Sequence, residues 1–220
     1  MAQTSTARRL DEALAGVKQK QPAFGGGEPP APPVRPNPPI GSNAWLAVLM
    51  FLGAEAMFFA GLIGAFIVFR LGAPIWPPPF QPRLPVGLTG LNTLILLSSA
   101  VTMHLALKAV RAGKPGVSRL LGLSAVLGAV FLVIQGYEWL RLIQFGLTVS
   151  SSVYGGLFYT LIGFHGLHVA GALIWLGVVC VQAKKGRFSK QRHTGLQICA
   201  MYWTFVVALW PLLYVLVYLY

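Results

Sequence analysis

Of 220 residues, 55% are hydrophobic and only 10% are charged, a balance that places the chain among integral membrane proteins. The formal charge of +12 does not point to nucleic acid, because no soluble folded unit is visible to carry a basic face. Acids are scarce: Asp11, Glu12 and Glu28 stand near the N-terminus, and Glu55 and Glu138 are the remaining two, each inside an apolar run.

Residues 1–42 read as a disordered, cytoplasmic tail. Arg8, Arg9, Lys18 and Lys20 are followed by Gly25-Gly26-Gly27 and a proline-dense stretch from Pro29 to Pro39, a composition that cannot bury a core. Leu10, Ala13, Leu14 and Val17 could share one face of a short amphipathic helix resting on the membrane or on a partner. No apolar core with a cleavage site occurs near Met1, so the first span is expected to serve as the insertion signal.

An all-α bundle of five transmembrane helices is predicted for residues 43–220. The apolar runs are about Ala44 to Phe69, Val86 to Leu107, Leu120 to Ile143, Val153 to Val181 and Leu196 to Leu219, each long enough to cross a bilayer. Proline and glycine punctuate the links: Pro74, Pro77-Pro78-Pro79, Pro82 and Pro85, then Gly113-Lys114-Pro115-Gly116, then Lys184-Lys185-Gly186. The third link, around Gly146 to Ser152, is short and uncharged. The tail holds five basic residues, the second link four and the fourth five, against Arg70, Arg83 and Arg141 on the other side. By the positive-inside rule the N-terminus is cytoplasmic and the C-terminus outside. Trp45, Trp76, Trp139, Tyr154, Tyr218 and Tyr220 fall near span ends, where interfacial aromatic belts are expected.

Glu55 lies roughly 16 Å into the first span by helical rise, near mid-plane. An ionised, unpaired carboxylate there is costly, so it is expected to have a partner or to retain its proton. In the fourth span, Gly163-Phe164-His165-Gly166-Leu167-His168-Val169 sets two histidines three residues apart on one helix face. His168 matches Glu55 more closely in depth, and the two are expected to meet across a helix interface that Gly163, Gly166 and Gly171 would let close. Two histidines are too few for a metal site. Gln135, Glu138 and Arg141 form a second polar group, in which Glu138 and Arg141 are spaced for an ion pair. Single histidines, His104 and His193, read as structural or solvated, and Cys180 and Cys199 as small apolar side chains rather than a disulfide framework. A Cys-x-x-Cys-His haem attachment, a cysteine cluster and a Walker loop are all missing, so the chain is not expected to be a redox or nucleotide-driven engine by itself.

Several motifs occur together and in order: Gly53-Ala54-Glu55-Ala56-Met57-Phe58-Phe59, Leu91-Asn92-Thr93 running on to Ser98-Ser99, Gln135-Gly136-Tyr137-Glu138-Trp139, the histidine motif above, and Tyr202-Trp203-Thr204-Phe205. From about Asn43 onward the chain resembles subunit III of the haem–copper terminal oxidases. That resemblance implies a multi-pass protein of the cell inner (plasma) membrane, an accessory subunit without redox centres of its own. Its partners would be the catalytic subunit I and subunit II, which carry the haem and copper, together with membrane lipids. It also implies a buried glutamate at Glu55 near His165 and His168, phospholipid bound between helices, and support of proton uptake by the catalytic subunit. Longer family members have two further N-terminal helices that form a lipid-holding V, where this chain has the proline-rich tail. Thr204 and Val207 stand where relatives usually carry His and Asp. Two other readings stay open: a nitric oxide reductase-associated subunit of the same family, and an independent transporter or proton channel with Glu55 and His168 as a relay.

Overall fold

The computed structural model describes residues 43–79 and 84–219. The expected tail with its short amphipathic helix, and Tyr220, lie outside the described residues. Among the described residues there are five long helices: α1 (Asn43–Gly72), α2 (Val86–Arg111), α3 (Val117–Gln144), α4 (Val153–Lys184) and α5 (Thr194–Tyr214). A π-helical turn, Val215–Leu219, continues α5. All five are long and apolar enough to cross a membrane, and each coincides with a predicted span.

The helices run past the apolar runs that announced them. α2 continues from Leu107 to Arg111 and α4 from Val181 to Lys184, because backbone bonding persists until a turn residue ends it. Lys108, Arg111, Arg141 and Lys184 stand in last turns, where cations complement the carbonyl end of the helix dipole. At the end of α3 the amide of Leu147 bonds back to the Leu142 carbonyl at 3.0 Å, with Gly146 in the left-handed conformation between them (φ +89°). Gly186 closes α4 in the same way, and only glycine adopts that conformation without a Cβ penalty. α4 starts on Ser152, whose Oγ accepts the Gly155 amide at 3.1 Å.

The core lies among α2, α3, α4 and α5, each packed on its neighbours, with α1 resting on α4 and α5. Trp203 and Trp210 of α5 are its largest buried side chains, beside Phe131 of α3 and Phe158 of α4. Their indole N–H groups donate to hydroxyls of α2, Trp203 to Ser99 at 3.2 Å and Trp210 to Thr93 at 2.9 Å, so neither of these two indoles is left without an acceptor. α1 buries only Phe59 and Phe66 and leaves Met50, Met57, Val68 and Leu71 exposed, which suits a helix facing lipid or a partner.

Two expectations about side-chain direction are corrected. Tyr154 and Tyr218, read as belt residues, turn inward and are buried. Tyr218 and Val217 continue the buried face of Trp210 and Leu213 within the π-helical turn, one turn beyond Pro211, which has no N–H to give to the helix ladder. Gly128 shows how tight the core is, since a Cβ there would lie 2.5 Å from the Trp203 ring. Gly128→Ala is expected to cost about 1–3 kcal/mol by overpacking, read as a lower thermal midpoint of the detergent-solubilised protein. An unchanged midpoint would show that the indole can step aside.

Candidate functional site

Glu55, near the middle of α1, and His168, near the middle of α4, meet. His168 Nε2 and Glu55 Oε2 are 2.8 Å apart, and each side chain is 16% exposed. The other ring nitrogen, Nδ1, lies 2.6 Å from the Phe164 carbonyl, which can only accept, so Nδ1 carries a hydrogen. The contact with Glu55 then needs one more proton, either on Nε2 of an imidazolium or on the carboxyl. One proton therefore lies in the contact between Glu55 and His168. Phe58 stacks on the His168 ring at 6.1 Å between centroids, and Phe59 meets its edge at 5.0 Å, so aromatic side chains close the site on the α1 side.

His165 goes elsewhere. Three residues along a helix rotate a side chain by about 60°, enough to send His165 into the core while His168 faces α1. His165 is fully buried, stacked on Trp210 at 4.9 Å, with the edges of Phe59 and Phe131 near it. Neither of its ring nitrogens has a hydrogen-bond partner. Phe59 touches both histidines and stands between the two environments. The expected role of the glycines is only partly seen: Gly163 and Gly171 face open space, and Gly166 receives the Trp139 ring of α3 rather than α1.

The second polar group differs from the expected ion pair. Glu138 is buried, and its Oε2 lies 2.9 Å from Thr89 Oγ1 of α2 and 3.3 Å from Gln135 Nε2. Gln135 Nε2 also donates to the Tyr218 hydroxyl at 3.2 Å. Arg141 is exposed instead, its guanidinium 5.9 Å from the Tyr137 ring centre and 5.8 Å from that of Phe145. The i,i+3 spacing allows contact, but a core-facing acid and a solvent-seeking guanidinium part company on the helix surface. Thr89 and Tyr218 were not singled out from sequence as its partners. The available signal was a stripe of small polar residues on α2, Thr89, Asn92, Thr93 and Ser99, at helical spacing in an apolar run.

Between α1, α2 and α5 lies an open groove of about 430 Å³. Its polar edge is made by His104, Arg111, Gln197 and Thr204, so the residue that departs from the family motif faces this groove, while Val207 is buried. Among the described residues no group of three or more His, Cys, Asp or Glu could hold a metal ion.

Residues 39–220 match the family described as cytochrome c oxidase subunit III. The chain is 39% identical over 174 residues to "Cytochrome c oxidase subunit 3" of Synechocystis sp., covering 78% of this chain and 73% of the relative. It is 36% identical over 176 residues to the protein of that name from Thermostichus vulcanus, covering 79% and 86%. Against the protein of that name from Bacillus subtilis it is 33% identical over 181 residues, covering 81% and 87%.

Proposed function

The chain belongs to the cytochrome c oxidase subunit III family, and so to the accessory subunits of haem–copper oxidases; on that premise we propose that its work centres on the proton shared by Glu55 and His168. The reading rests on one observation, the 2.8 Å contact between an acid and a histidine at the middle of two spanning helices. A group that can hold or release a proton there suits a neighbour that takes protons up. The subunit packs against the catalytic subunit I, with subunit II in the same complex, stabilises it and supports its proton uptake. We place it in the plasma membrane with its N-terminus cytoplasmic, following the distribution of basic residues between the links.

Haem and copper fall to the partner subunits. The residues here do not fit them: His168 is engaged with Glu55 and Phe164, and His165 is enclosed by Trp210, Phe59 and Phe131. A phospholipid is a fitting occupant for the groove between α1, α2 and α5, acyl chains along Leu52, Leu107 and Phe205 and headgroup toward Arg111. Relatives named cytochrome c oxidase subunit 3 do not favour the nitric oxide reductase or free-standing transporter readings.

Purification under mild detergent tests the assignment. The tagged chain is expected to bring down haem-bearing partners with oxidase activity. Purification alone, without haem, would favour the transporter and overturn the accessory role.

A further inference from the structure

Glu138 is an acid that the function above leaves unused. It sits where α2 begins and α3 and α5 finish, and it is 2% exposed. Among the described residues no cation pairs with it, since Arg141 lies over the rings of Tyr137 and Phe145. Its hydrogen bonds bear on its form. Thr89 Oγ1 is 3.0 Å from the Pro85 carbonyl as well as 2.9 Å from Glu138 Oε2. A hydroxyl has one hydrogen, and a carbonyl can only accept. When Thr89 donates to Pro85, its contact with Glu138 requires the hydrogen to come from the carboxyl. Gln135 Nε2 gives its two hydrogens to Glu138 Oε2 and to the Tyr218 hydroxyl. Glu138 Oε1 has no partner, which a carbonyl oxygen tolerates far better than half of a buried negative charge.

We propose that Glu138 is a neutral carboxylic acid that latches α2, α3 and the closing turn of α5 together, and that losing its proton releases this end of the bundle. With the proton in place, the chain of donors runs from Glu138 to Thr89 to Pro85, while Gln135 ties Glu138 to Tyr218. Without it, Thr89 must abandon Pro85 to serve a charge with which no cation among the described residues pairs. Among the described residues, the titratable or charged groups at this end include Tyr218 itself, Tyr214, whose hydroxyl donates to the Val86 carbonyl at 3.0 Å, and Tyr154 on α4. Arg70 of α1 also reaches it, donating to the Leu216 carbonyl at 3.3 Å.

The test compares the purified oxidase complex carrying the wild-type chain with one carrying Glu138→Gln, whose amide can still donate to Thr89. Infrared difference spectra between the two are expected to show a carboxylic acid C=O band in the wild type that is lost in Glu138→Gln. Thr89→Val should shift that band to higher frequency by removing its acceptor. Retention of this subunit in the complex should fall as the medium is made alkaline, and fall less in Glu138→Gln. Absence of the acid band at neutral pH overturns the neutral carboxyl, and superimposable pH profiles overturn the latch. Failure of the complex to form with the wild-type chain would instead count against the accessory role, so the two readings fail separately.

Discussion

Glu55→Gln is expected to leave the subunit inserted and assembled while changing proton uptake by the complex or its durability during turnover. The reason lies in the proton count at the site. His168 Nδ1 is committed to the Phe164 carbonyl, so the 2.8 Å contact with Glu55 is made through one proton. A glutamine amide supplies a permanent donor to Nε2, which preserves the geometry and removes the exchange. Glu55→Ala removes the partner altogether and leaves Nε2 of a half-buried ring unpaired, at about 1–3 kcal/mol. It should therefore weaken packing of α1, which buries only Phe59 and Phe66.

Carbodiimide labelling supplies an independent readout. An apolar carbodiimide partitions into the bilayer and attacks protonated carboxyls, so Glu55, with 16% of its side chain accessible, should label ahead of the nearly inaccessible Glu138 and of the tail acids. If Glu55 labels no more readily than Asp11 or Glu28, the idea that it holds a proton is wrong. If Glu55→Gln matches the wild type in both proton uptake and turnover durability, Glu55 only packs.

Trp210→Ala is expected to be the most damaging single truncation, costing about 3–5 kcal/mol, as large aromatic truncations in cores do. Its ring stacks on His165, meets the edge of Phe131 at 5.0 Å, and donates its N–H to Thr93. Truncation would open a cavity and expose His165, whose ring nitrogens have no hydrogen-bond partner, to that cavity. Thermal unfolding of the solubilised protein, or loss of the subunit from the complex on mild heating, measures the effect. Trp210→Phe keeps one aromatic ring in the core while losing both the bond to Thr93, which is worth about 1 kcal/mol, and the packing of the fused ring, so it is expected to cost less than Trp210→Ala. Equal losses in both variants would mean that the retained six-membered ring contributes nothing to holding α5 in the core.

Hydropathy alone located five helices, because crossing a bilayer demands local, contiguous apolar length that each segment reveals without reference to the others. Matching the depths of Glu55 and His168 along their helices was enough to pair them, since the helical rise converts sequence position into height. Direction around each helix was harder to read. In a membrane bundle the lipid-facing and core-facing sides are equally apolar, so periodicity hardly separates them on α1 and α4. His165 and His168 therefore looked like one pair, and only the tertiary structure sent one into the core and the other to Glu55. Glu138 and Arg141 looked like an ion pair until packing turned the acid toward Thr89 and left the guanidinium outside. The sequence by itself determined where the five long helices among the described residues lie and how far along them their polar groups sit. The tertiary structure decided which of those groups face one another, because in an apolar solvent that choice rests on close packing and hydrogen-bond partners on other helices, which no single segment encodes.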